Sequence, residues 1–141
     1  MLVYKLTDEN MRTHGGFQYE LGITAKASGD GGLCSDGYLH WYHSPLLAVL
    51  LNPLHARIVK PRLFLADAEG KTEYDRGLKG GSKELTLLEE LPVPEFTPSQ
   101  RAAFARLCAD WARVAAKQPR MKPEKIAETL HELAEKALKS E

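Results

Sequence analysis

The chain is predicted to be α+β: a small, mostly antiparallel sheet with one short helix, followed by a C-terminal antiparallel helical hairpin. Two observations predict this. Up to residue 95 apolar residues come in short runs broken by glycine, whereas from residue 96 they recur at three- and four-residue steps over long segments. The change falls at Leu91-Pro92-Val93-Pro94-Glu95, whose two prolines favour an extended connector. Charge shifts there too, with 10 Lys/Arg against 13 Asp/Glu in residues 1–95 and 9 against 6 in residues 96–141. The expected organisation is therefore a mixed domain, 1–95, and a helical hairpin, 96–141, packed on it.

In chain order, Leu2 to Leu6 alternates as a strand, and Phe17, Tyr19 and Leu21 share one face of a second strand after Gly15-Gly16. Tyr38 to Tyr42 is a third, rich in aromatics. Ser44-Pro45 starts a helix, because serine accepts from free backbone amides and proline at the first helical position loses no needed bond. That helix is expected to run from Pro45 to Leu51 and end before Asn52-Pro53. Strands follow at Arg62 to Ala66 and Glu84 to Leu91, with Gly70, Gly77 and Gly80-Gly81 marking a polar loop between them. Thr97-Pro98-Ser99-Gln100 has capping-box spacing, and Phe104, Leu107, Cys108, Trp111 and Val114 then form one helical face to about Lys117. Pro119 and Pro123 bracket a turn. A last helix, Pro123 to Lys139, aligns Ile126, Leu130, Leu133, Ala137 and Leu138.

The 141 residues suffice for a genuine core. With 19 basic and 19 acidic residues there is no bulk attraction to nucleic acid or to an anionic membrane. No apolar run approaches the roughly 18 residues of a membrane span, and Met1 to Leu6 is too short for an export signal. The expectation is a cytoplasmic protein whose Cys34 and Cys108 are free thiols. Nothing in the pattern sets an oligomeric state.

Lys5, then Gly16-Phe17-Gln18-Tyr19-Glu20-Leu21-Gly22, then Leu33-Cys34-Ser35-Asp36-Gly37-Tyr38-Leu39-His40 with Ser44-Pro45-Leu46, then Arg62-Leu63-Phe64 and Gly70 occur in a telling order. Over residues 1–91 this order resembles a small uncharacterised family of bacteriophage and mobile-element proteins. The family's Gly-Phe-His is one residue longer here, as Gly37-Tyr38-Leu39-His40. The family carries no established activity; the role expected of a chain of this kind is a non-catalytic accessory protein that binds a host protein, and the family's genomic company implies inhibition of a host defence system. The resemblance assigns no residue a role.

Four chemistries can be weighed on the residues. Cys34, His40 and His43 invite a metal, but strand alternation sends His40 and His43 to opposite faces, so no metal site is expected. An ADP-ribosyltransferase-like enzyme would take NAD between Tyr4, His40 and Tyr42, with Glu84 stabilising the oxocarbenium ion. That is the alternative to a cofactor-free protein. Arg106, Arg113 and Lys117 could meet phosphates, yet the acidic residues after them argue against nucleic acid. A protein-binding surface drawn from Tyr38, Trp41, Tyr42, His43, Arg106, Arg113 and Lys117 asks least of the chemistry and is the principal reading.

Overall fold

The computed structural model of the chain describes residues 1–33, 37–75 and 78–140; Cys34 and Gly77, with the expectations placed on them, lie outside these. Two long strands, β4 (Arg62–Asp75) and β5 (Lys79–Leu91), pair antiparallel. β1 (Leu2–Thr7) lies antiparallel on the other edge of β4, with Lys5 opposite Phe64. The far edge of β5 carries two short strands, β2 (Thr24–Lys26) opposite Glu84 to Thr86 and β3 (Leu39–Trp41) opposite Gly80 to Ser82. One residue beyond β3, Tyr42 exchanges both backbone hydrogen bonds with Tyr4 of β1, each 2.8 Å. The ladder thus runs β1, β4, β5, β3 and back to β1. This closure satisfies backbone groups that an open sheet would leave at its edges.

Two apolar cores flank the ladder. On one side α1 (Pro45–His55) buries every residue from Leu46 to Leu51, the signature of a helix covered all round. β1 covers it on one flank and α3 (Pro123–Leu138) on another, with Leu130, Ala134 and Phe96 completing the cluster. α2 (Pro98–Ala115) packs on α3 and buries only Ala103 fully. Its start is fixed by the expected capping box: Thr97 accepts from the Gln100 amide, and the Gln100 side chain returns to the Thr97 amide. The fold is accordingly α+β, with the helix pair at its C-terminal end. On the other side Val3, Leu39, Trp41, Phe64, Ala66, Leu85 and Leu87 pack together beneath the excursion from β1 to β2, which contributes Met11, Phe17, Tyr19 and Ala25.

Three expectations fail, each for a physical reason. Gly70, Gly80 and Gly81 lie within the long strands and do not form a loop. A Cβ at Gly80 would stand 2.4 Å from carbons of the Trp41 indole, so this glycine makes room for a ring; Gly70 has φ +83° beside a bulge between Glu69 and Thr72. Phe17 to Leu21 is not a strand. Its ladder contact is an isolated Arg12–Gln18 bridge, and it folds over the sheet with Tyr19 buried and Leu21 exposed. Finally, α1 continues through Pro53 to His55. A proline in the last turn removes one amide bond without ending the helix, and the Asn52 side chain secures the exit by bonding both the N–H and the carbonyl of Ile58.

Candidate functional site

Alternation along β1 sends Val3, Lys5 and Thr7 to the face opposite Tyr4 and Leu6, placing an amine in an otherwise uncharged, buried row. Lys5 is only 7% exposed. It lines a cavity of about 600 Å³ where β1, β3, the end of α1, the start of β5 and residues 13–19 meet. Its Nζ donates to the His40 carbonyl at 2.5 Å and lies 5.3 Å from the centroid of the Tyr19 ring. Burial, and then repulsion from Lys79, bring this amine down to about 7. The face of the Tyr19 ring favours the ammonium and works against that fall.

His40 and Tyr42, two residues apart on the strand, line the same cavity. His40 Nε2 is hydrogen-bonded to the Leu33 carbonyl. Burial lowers the His40 imidazole; the Leu33 carbonyl opposes this, while Lys5, Lys79 and His55 add to it. The Tyr42 hydroxyl is 2.7 Å from His55 Nδ1, with the two rings stacked at 10°. Burial raises the Tyr42 phenol, so it stays protonated at neutral pH in its hydrogen bond with His55. Phe17, Tyr19, Tyr38 and Leu39 add aromatic and apolar wall. Among the described residues the lining holds Lys5, Lys79, His14, His40 and His55, and no carboxylate. A second, more open hollow of about 550 Å³ at Asp8, Glu9, Arg12 and Lys60 mixes both signs of charge.

The residues singled out in the sequence scatter around this cavity. Of the NAD-binding set, His40 and Tyr42 line it, whereas Tyr4 packs toward the α1 core. Glu84 sits within β5 opposite Lys26, whose Nζ is 3.9 Å away. Tyr38, Trp41 and Tyr42 are interior, so they do not form the docking face expected of them. The Trp41 indole N–H donates to Ser82 at 3.0 Å, and Lys83 Nζ lies 4.3 Å from the Tyr38 ring centroid. His43 is wedged between Trp41 and Tyr74, away from His40, and its buried Nε2 has no hydrogen-bond partner among the described residues. Arg106, Arg113 and Lys117 are exposed on α2 and just beyond it, Arg113 pairing with Asp110. Among the described residues no group of three or more His, Cys, Asp or Glu is placed to hold a metal. Among the described residues no helix is long and apolar enough to cross a membrane.

Sequence reasoning passed over Lys5, Lys79 and His55 as functional groups. Lys5 did carry a signal, being charged at an inward position of an apolar alternating strand. A second arrangement was invisible in sequence: Ser44 Oγ is bonded to His131 Nδ1, and His131 Nε2 lies 3.4 Å from Glu135. The order imitates a hydrolytic triad. However, Ser44 is 1% exposed and its oxygen already accepts from the Leu46 and Leu47 amides, so it cannot receive a substrate.

Among curated proteins no sequence matches the chain. The profile of one family, a domain of unknown function designated DUF7666, matches residues 1–99, which takes in the whole ladder, α1 and the first two residues of α2. The chain therefore belongs to the DUF7666 family, with the rest of the helix pair outside the matched region.

Proposed function

We propose that this chain is a non-catalytic binding protein whose ligand is a small anion held in the Lys5 cavity. One observation carries the reading: two lysines and three histidines line an aromatic-walled cavity of about 600 Å³ in which no described carboxylate offsets them. Volumes of roughly 300–1,000 Å³ suit small-molecule ligands, and a few polar groups on an apolar wall give orientation. A bound anion returns the proton that burial removes from Lys5, since an opposite charge nearby favours the ammonium. Transfer chemistry on NAD lacks its carboxylate here, Glu84 being paired with Lys26 outside the cavity. A host-protein partner rests on the resemblance of residues 1–91 and would have to use exposed side chains such as Arg106, Arg113 and Lys117.

Calorimetric titration with inorganic phosphate, pyrophosphate and AMP at low salt tests the reading. Saturable binding at one site is expected, weakened at least tenfold in Lys79→Ala, as the loss of a charge-assisted contact of about 1.5–3 kcal/mol requires. Absence of binding by all three anions to the wild type would overturn it.

A further inference from the structure

We propose that Lys5 is a nucleophilic amine that captures small carbonyl compounds carrying an anionic group, such as 2-oxo acids and aldehyde phosphates, as a reversible imine within the cavity. This rests on the anion-binding reading and adds a covalent step to it. The placement of Lys5 is the starting point. Lys5 lines a partly open, aromatic-walled cavity, and its Nζ makes one hydrogen bond among the described residues, to the His40 carbonyl. A neutral amine making that single donation keeps its lone pair uncommitted. Lys79 lines the same cavity and serves twice, disfavouring the charged form of Lys5 and offering a cation to the ligand's carboxylate or phosphate. A desolvated lysine beside a second cation is an established route to an amine that reacts near neutral pH. The fall of the Lys5 amine to about 7 agrees with this geometry.

The step balances without an oxidant or reductant. The Nζ lone pair adds to the carbonyl carbon, the C=O π pair moves to oxygen, and the oxygen takes up a proton. Nitrogen gives up one proton to complete the carbinolamine, whose hydroxyl takes up a second proton and leaves as water while the nitrogen lone pair forms the C=N bond; nitrogen then releases its remaining proton. Ketone or aldehyde plus amine gives imine plus water. Among the described residues the titratable groups that line the cavity with Lys5 are His14, Tyr19, Tyr38, His40, Tyr42, His55 and Lys79. Of these the hydrogen-bonded Tyr42–His55 pair is the one suited to lend and recover the proton.

The full-length chain is incubated with pyridoxal 5′-phosphate, and separately with glyoxylate, and trapped by borohydride or cyanoborohydride. Peptide mapping then reads each lysine. Lys5 should be modified at least tenfold faster than the exposed Lys71 and Lys117 at pH 7.5, with a rate that rises through pH 7 and levels off above it. Lys79→Ala should slow the reaction, and inorganic phosphate should protect Lys5 in the wild type. Labelling of Lys5 no faster than of Lys71 and Lys117, while phosphate still binds by calorimetry, overturns the imine and leaves the anion site standing. Fast labelling of Lys5 that phosphate fails to slow keeps the imine and removes the anion reading.

Discussion

Ser44 shows how much one buried hydroxyl can hold. Its oxygen accepts from the amides of Leu46 and Leu47 at 3.2 and 3.3 Å, capping α1, and bonds His131 Nδ1 on α3. With its lone pairs taken by amides, the hydroxyl must donate, which fixes the His131 proton on Nε2, facing Glu135. The residue therefore joins the start of one helix to the flank of another. Ser44→Ala is expected to destabilise the fold by about 1–2 kcal/mol, the upper part of the range for losing a cap. It should also leave an imidazole nitrogen without its donor. Urea denaturation monitored by far-UV dichroism reads the shift, and a loss well under 0.5 kcal/mol would show the bond to be dispensable.

Between elements, the contact of β3 with β5 decides the shape of the cavity. Gly80 lies opposite Trp41, and a methyl group added there meets indole carbons at 2.4 Å. Gly80→Ala should displace the indole, weaken its bond to Ser82 and destabilise the protein by about 1–3 kcal/mol, with a red-shifted tryptophan emission. Unaltered emission and stability would mean that the ring is not seated against β5. The same glycine shows why the sequence read some elements well and others badly. α2 and α3 were legible because caps and helical periodicity are local properties, written into Thr97, Gln100 and the row from Phe104 to Trp111 for α2, and into Pro123 and the row from Ile126 to Leu138 for α3. Gly80-Gly81 looks identical in sequence whether it turns a chain or admits a ring, and only the partner strand distinguishes the two. The start of α1 was legible from Ser44-Pro45, but its end depended on the reach of Asn52 to Ile58. The aromatic cluster of residues 38–42 was found, yet as a surface. Its companions Lys5, His55 and Lys79 come from three other elements, and the Tyr4–Tyr42 bridge that draws β1 beside β3 has no local signature.

At the scale of the whole molecule, a ring of strands between two apolar cores encloses an amine, and the pH dependence of stability should report it. In the unfolded chain Lys5 keeps its proton to about pH 10.5, whereas in the folded protein it releases it near 7. Between those limits the unfolded state binds more protons, so stability rises with pH, by up to about 1.4 kcal/mol per pH unit. Below pH 7 both states carry the ammonium and this contribution is constant at its least favourable value. His40 and His43, both lowered by burial, also favour the folded state as pH rises, but only up to the ordinary histidine range near 6.5. Tyr19 and Tyr42, both raised by burial, act in the opposite sense only where a free phenol ionises, near pH 10. Within pH 7.5 to 9.5 Cys108, its thiol raised by burial, acts against Lys5 where a free thiol ionises, but groups common to two variants cancel in their difference, which leaves Lys5. Lys5→Met removes the titrating group while keeping an unbranched side chain one atom shorter. Wild type should gain about 2–3 kcal/mol on Lys5→Met across this interval, starting below it and closing the gap as the amine in the unfolded chain nears its own titration. Urea unfolding at constant ionic strength measures both curves. A difference between the two proteins that stays constant from pH 7.5 to 9.5 would place the Lys5 proton firmly on the folded state, and with it would go the neutral amine on which the imine chemistry depends.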